Sequence, residues 1–179
     1  MNEKYLIISD IHGSISSLKK AISIFNNDKF NKLFILGDLF YSGARNVPPS
    51  DYSPIELVEL TNKYSKNIIA IKGNCESVVD LSVTKFPIFE IYQDKIFDKR
   101  VALFHGHQDY FSTLSKYNDI IFTGHTHISK VEKVGNVIYA NPGSISLPKD
   151  NNKSFIIFTK DKIEILDLIS LEKLKEIKI

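Results

Sequence analysis

An α/β domain is what this sequence predicts, and three observations predict it. Short apolar runs of strand length alternate with stretches that repeat apolar residues at helical spacing. The runs are continuous rather than alternating with polar residues, as strands buried on both faces require. Each of the main runs stops in a loop that combines glycine with Asp, Asn or His. At 179 residues the expectation is one compact domain, 1–179.

In chain order, Tyr5-Leu6-Ile7-Ile8 is the first strand, stopping at Ser9-Asp10-Ile11-His12-Gly13. Leu18, Ala21, Ile22 and Phe25 then mark a helix, with Ser14 or Ser16 as its N-cap. Leu33-Phe34-Ile35-Leu36 is a second strand, ending at Gly37-Asp38. Gly43, Pro48 and Pro49 make 40–53 a long loop. Leu57, Leu60 and Tyr64 then share a helix face that begins near Ser53-Pro54. Three more apolar runs follow: 68–71 ends at Gly73-Asn74, 101–104 at His105-Gly106-His107, and 120–122 at Gly124-His125-Thr126-His127. The last third reads as hairpins, 130–140 turning at Gly135-Asn136 and 155–167 turning at Lys160-Asp161. The tail, 171–179, reads as a strand because Ile177 and Ile179 alternate with charge.

Composition narrows the function classes. Hydrophobic residues make up 43% and charged residues 25%, as in an ordinary soluble domain. A formal charge of +2 is too small an excess to argue for nucleic acid or an anionic membrane. The lone cysteine, Cys75, rules out an internal disulfide. The apolar run before Asp10 is too short for a signal peptide or a membrane span, so a cytoplasmic location is expected.

The five histidines, His12, His105, His107, His125 and His127, all lie just after predicted strands. Any one of them could be structural, but as a set they point to a metal site. Asp10-x-His12 and His125-x-His127 would chelate if their segments stay extended, since alternate side chains then point the same way. Asp38 has two oxygens with which to bridge two cations, and Asn74 offers a neutral oxygen. Taken singly, Gly37-Asp38 and Gly73-Asn74 are more often turns. His105 is nearer its strand than His107, so it is assigned as the ligand and His107 to a place behind the ligands. Imidazole and carboxylate with one amide and no thiolate cluster do not make a structural zinc site. Mn²⁺, Fe²⁺ or Zn²⁺ with open positions for water fits better.

Taken in order, Asp10-x-His12, Gly37-Asp38, Gly73-Asn74, His105-Gly106 and Gly124-His125-x-His127 resemble the calcineurin-like metallophosphoesterases. Ser9-Asp10-Ile11-His12-Gly13-Ser14, Gly43-x-Arg45-Asn46, Gly73-Asn74-Cys75 and Asn141-Pro142-Gly143-Ser144 give the look of the small bacterial YfcE-type phosphodiesterases. The resemblance implies a four-layer α/β/β/α sandwich of two packed mixed sheets, with the metal site at strand ends. It implies two divalent ions, Mn²⁺ foremost, with Zn²⁺, Fe²⁺ or Ni²⁺ as alternatives, and a small-molecule phosphate ester as substrate. Asp10, His12 and His127 would hold one ion, Asn74, His105 and His125 the other, and Asp38 both. Asp38 and Asn74 would take part in the reaction, Asn74 by touching a phosphate oxygen. A homo-oligomer is also suggested, although no interface stripe is visible in the sequence.

Cys75 departs from the wider superfamily, where His often follows the Gly-Asn pair and protonates the leaving oxygen. A thiol with an ordinary pKa of about 8.5 is a poorer acid. Two readings of Cys75 follow: an enzyme that depends on good leaving groups such as aryl phosphodiesters, or a thiol that only packs beside the site. Arg45 either pairs with a substrate phosphate or stabilises its loop, and Tyr41 either walls the cleft or belongs to the core. The competing functions are a phosphomonoesterase, a nuclease, and a metal-binding protein-interaction scaffold resembling retromer's small component.

Overall fold

The computed structural model describes residues 3–44 and 46–179. Two mixed sheets carry the fold. The first half of the chain runs β1 (Lys4–Ile8), α1 (Ile15–Asn27), β2 (Lys32–Ile35), α2 (Pro54–Lys63), β3 (Ile68–Ile71), α3 (Val78–Val83) and β4 (Ile88–Phe89). There follow β5 (Ile91–Ile96), β6 (Lys99–Phe104), α4 (Phe111–Leu114), β7 (Ile120–Phe122), β8 (Ser129–Val134) and β9 (Val137–Pro142). The chain closes with β10 (Ser154–Thr159), β11 (Lys162–Asp167) and β12 (Lys173–Lys178).

The first sheet has seven strands in the order β12-β11-β10-β1-β2-β3-β4, and the second has five in the order β5-β6-β7-β9-β8. Strands β1 to β4 are parallel, with Leu6 opposite Leu33 and Phe34 opposite Ile69. Strands β6, β7 and β9 are parallel in the second sheet. A parallel pair needs a crossover, and α1 and α2 supply two of them.

Strand alternation sorts the apolar runs into layers. Leu6, Ile8, Leu33 and Ile35 pack outward against Leu18, Ala21, Ile22 and Phe25 of α1 and Leu57 of α2. Their neighbours Tyr5, Ile7, Phe34 and Leu36 pack inward, against Val101, Leu103, Ile120 and Phe122 of the second sheet. This is the four-layer order, but the fourth layer is thin. The outer face of the second sheet is covered by one turn, α4, which sets Leu114 among Ala102, Phe104, Ile121 and Val137.

The helix starts follow from chemistry visible in the sequence. Ser14 caps α1, its hydroxyl accepting from Ser17 N, and Pro54 opens α2, where its missing N–H costs nothing. Both expected hairpins and the strand in the tail are present. Four elements had no signal: α3, which buries no residue, the single turn α4, the two-residue β4, and β5. Strand β5 is a polar edge, Ile91-Tyr92-Gln93-Asp94-Lys95-Ile96. It turns into β6 through Phe97 and Asp98, both at positive φ (51° and 64°), in place of the usual Asn-Gly. Among the described residues no helix is long and apolar enough to cross a membrane.

Candidate metal centre

The C-terminal ends of β1, β2, β3, β6 and β7 meet at one rim, the usual place for a ligand beside parallel strands. Asp10 and His12 follow β1, Asp38 follows β2, Asn74 follows β3, His105 follows β6, and His125 and His127 follow β7. Ligand-type atoms of Asp10, His12 and His127 lie within 4.8 Å of one another, and so do those of Asp10, Asp38 and His105. Asn74 joins the second group, its Oδ1 3.1 Å from His105 Nε2.

The means of convergence differs from the expectation of extended segments. Strand β1 ends at Ile8 and β7 at Phe122. Asp10, His12, Asp38, His125 and His127 all have left-handed backbones, with φ of 52°, 49°, 51°, 68° and 59°. Such conformations are uncommon for non-glycine residues, and the surrounding hydrogen bonds hold them here. Asp10 N donates to Gly37 O (3.1 Å), His12 N to Asp38 O (2.9 Å) and Gly124 N to His105 O (2.9 Å). As a result His125 and His127 diverge. The His127 ring lies 4.8 Å from that of His12, and the His125 ring 5.2 Å from that of His105. Gly37 (φ 99°) and Gly73 lie back to back, and a Cβ on Gly37 would come within 2.8 Å of the Gly73 backbone. The loops carrying Asp38 and Asn74 can touch only because neither residue has a side chain.

Three rings have their tautomers set by backbone carbonyls. His12 Nδ1 donates to Tyr41 O (2.8 Å), His105 Nδ1 to Leu36 O (2.6 Å) and His127 Nδ1 to Leu147 O (2.6 Å). In the neutral rings every Nε2 is then a lone pair facing the rim. His12 Nε2 and His127 Nε2 stand 3.0 Å apart, and the buried Asp10 Oδ1 has no hydrogen-bond partner among the described residues. Lone pairs turned toward one another and toward an orphaned carboxylate oxygen need a cation between them. The donor set therefore fits divalent metal.

Without metal, protons take up that role. Burial pushes the His105 imidazole down, but the contact with Asp38 and the charge of Asp10 more than reverse this, to about 9. The same contest between burial and Asp10 leaves His127 raised. Burial pushes His12 and His125 down. Asp38 resists its own burial and sits well below the carboxylate range because of His105. Burial and the charge of Asp38 push the Cys75 thiol up to about 12.

The stability of metal-stripped protein should therefore fall between pH 7 and 9.5. His105 is raised from 6.5, so its contribution is complete below that value and is lost as pH rises through about 9. Cys75 is raised from 9.0, so its contribution erodes above that value in the same direction. Urea midpoints in EDTA should drop across this range, and saturating Mn²⁺ should remove the drop, because metal and proton compete for the same nitrogens. A flat profile in EDTA would count against the His105–Asp38 pair.

A cavity of about 290 Å³ opens over this rim, lined by Asp38, Asn74, Cys75, His125 and His127 together with Ser42, Gly43, Asn46 and Lys149. A larger apolar cavity behind the His125–His127 loop, of about 500 Å³, is lined by none of the histidines. Cys75 is half-buried, and its N–H donates to Asp38 Oδ1 (2.9 Å). His107 is exposed, its ring 5.5 Å from that of His105. Tyr41 is 47% exposed and not part of the core; its carbonyl holds His12. Arg45 lies outside the described residues.

Glu76 was missed in the sequence. It is buried beneath the rim, and its carboxylate accepts from Leu39 N (2.5 Å), Gly73 N (2.5 Å) and Asp38 N (3.2 Å). Burial and the charge of Asp38 push it up to about 7, against those donors. Its signal was an acid two residues after Asn74, in a loop already singled out. Ser144 and Ser146 were also missed as supports; both hydroxyls donate to Asp10 O, at 2.6 and 3.0 Å.

The profile of the calcineurin-like phosphoesterase superfamily domain matches residues 4–162, nearly all of the chain that builds this rim. The chain belongs to that superfamily. Among calcineurin-like relatives, the phosphodiesterase YfcE of Escherichia coli (strain K12) is 35% identical over 170 residues, covering 92% of each chain. The solved structure of YfcE, described as a phosphoesterase from E. coli, superposes with a TM-score of 0.94. It is 33% identical and covers 98% of this chain and 99% of its own. Zn²⁺-complexed Vps29 from Entamoeba histolytica shares the calcineurin-like fold at a TM-score of 0.66 and 20% identity, covering 98% of each chain.

Proposed function

We propose that this protein is a metal-dependent phosphodiesterase, a single domain over 1–179, hydrolysing small organic phosphodiesters in the cytoplasm. One observation carries the reading: Nε2 of His12, His105 and His127 and the Asp10 Oδ1 that has no partner among the described residues gather around Asp38, beside a polar cavity that Asp38, Asn74, His125 and His127 line. Asp10, His12 and His127 would hold one divalent ion, Asn74, His105 and His125 a second, and Asp38 both, with Mn²⁺ foremost. Two ions so held supply Lewis acidity and a nucleophilic oxygen at neutral pH.

The chain's own groups supply the rest. Asp38 Oδ1 is held by Cys75 N, which turns Oδ2 toward His12 Nε2 (3.9 Å) and His105 Nε2 (3.5 Å). The exposed amide of Asn74, whose Nδ2 donates to Cys75 Sγ at 3.2 Å, would touch a phosphate oxygen in the cavity. A thiol is a poorer proton donor at neutral pH than an imidazolium, so the leaving oxygen departs with its own charge. Aryl diesters suit that site better than alkyl esters.

Mn²⁺-loaded protein should hydrolyse an aryl phosphodiester faster than the matching aryl monoester, and single-stranded DNA least. A faster monoester would replace the reading with a phosphomonoesterase, and metal-bound protein inert on the whole panel would favour a scaffold. Cys75→His should raise turnover of alkyl esters about 10²-fold by restoring an acid. An unchanged ratio of alkyl to aryl rates would remove Cys75 from the chemistry.

A further inference from the structure

We propose that Ser42 and Lys149 form an anion cradle beside the metal ligands, binding the non-bridging oxygens of a phosphate group; the proposal rests on the phosphoesterase reading above. Both residues line the cavity of about 290 Å³ that Asp38, Asn74, His125 and His127 also line.

Ser42 is fully buried, and its Oγ has no hydrogen-bond partner among the described residues. A buried hydroxyl without a partner is unfavourable, so its presence on a cavity wall calls for an occupant that accepts. Its backbone is held in place: Ser42 O accepts from Asn46 Nδ2 at 2.7 Å. The residue is thus held beside the cavity with its hydroxyl unpartnered among the described residues.

Lys149 brings the charge. Its backbone N–H donates to His127 O (2.9 Å), tying it to the ligand loop, while its side chain reaches solvent and the cavity. No ion pair among the described residues involves it. The neighbouring carboxylate, Asp150, is engaged by Ser129 N (2.8 Å) and Ser129 Oγ (2.7 Å). The charge is felt at His127, whose imidazolium it disfavours against the larger pull of Asp10. A free ammonium beside ligands that gather cations opposes metal binding. That opposition is offset when an oxyanion lies between ammonium and metal, and phosphate provides one.

The test is calorimetric titration of inorganic phosphate into Mn²⁺-loaded wild type, Ser42→Ala, Lys149→Gln and Lys149→Arg, with Mn²⁺ titrations alongside. Lys149→Gln should weaken phosphate binding about tenfold and Ser42→Ala about threefold to tenfold. Lys149→Arg should stay near wild type, and Mn²⁺ should bind Lys149→Gln as tightly as wild type or more so. In turnover, KM for an aryl diester should rise by similar factors. Unchanged phosphate affinity in Lys149→Gln and Ser42→Ala overturns the cradle, as does wild type that binds no phosphate, or Mn²⁺ affinity that falls in step with phosphate affinity. Wild type that binds phosphate in this pattern yet hydrolyses no ester supports the cradle and sinks the phosphodiesterase reading.

Discussion

Asp38→Asn should leave the protein folded and reduce metal-dependent turnover by about 10³-fold or more. The substitution is isosteric, and the amide oxygen can still accept from Cys75 N as Asp38 Oδ1 does at 2.9 Å. The amide nitrogen then replaces Oδ2, which faces His12 Nε2 at 3.9 Å and His105 Nε2 at 3.5 Å. An N–H₂ there can donate to a neutral His105 Nε2, but the His105–Asp38 ion pair is lost, so metal-free protein should lose stability below about pH 9. A cation at the same place meets a donor where it had an anion. Metal catalysis contributes several kcal/mol of transition-state stabilisation, and each tenfold in rate is about 1.4 kcal/mol, hence about 10³. Metal content per chain should fall together with kcat. The alkaline loss of stability in EDTA should shrink as well, because His105 loses the partner that raises its pKa. Turnover within tenfold of wild type would sink Asp38 as the shared ligand.

The parts of the fold and site that were legible in the sequence share one physical cause. The runs 5–8, 33–36, 68–71 and 120–122 had to be continuous because helices or a second sheet cover both faces, and a continuous run announces its own end. Candidate ligands just past those ends, and past the run 101–104, were therefore visible as Asp10, Asp38, Asn74, His105, His125 and His127. The local path was not visible. Nothing in Asp10-x-His12 signals a left-handed turn, because that conformation is imposed by Gly37 O and Asp38 O on a neighbouring strand's loop. Ser42 and Lys149 were equally hidden, since their significance lies in what they lack among the described residues: a hydrogen-bond partner for one and an ion pair for the other. Strand β5 and helix α3 failed to show for the opposite reason. They bury too little to need an apolar pattern.

Glu76→Ala should be the most destabilising single change at the rim, lowering unfolding free energy by about 3–5 kcal/mol. The carboxylate stitches the β2 loop to the β3 loop. Oε1 takes Leu39 N, while Oε2 takes both Asp38 N and Gly73 N. Alanine would leave these buried N–H groups without acceptors, each at about 1–3 kcal/mol and not fully additive. Glu76→Gln should fall between, because its amide keeps one acceptor and turns an N–H₂ toward an N–H. The functional effect runs through geometry. Asp38 holds a positive φ of 51° with its own N–H and that of Leu39 both fixed by this carboxylate. Loosening them should weaken Mn²⁺ binding about 10–100-fold, the usual cost of losing a group that orients a ligand. Urea unfolding in EDTA reads the first effect and Mn²⁺ titration the second. If Glu76→Gln unfolds at a lower midpoint yet binds Mn²⁺ as tightly as wild type, Glu76 supports the fold alone. An unchanged midpoint would mean that water replaces the carboxylate, and Asp38 would then owe its conformation to Gly37 and Gly73.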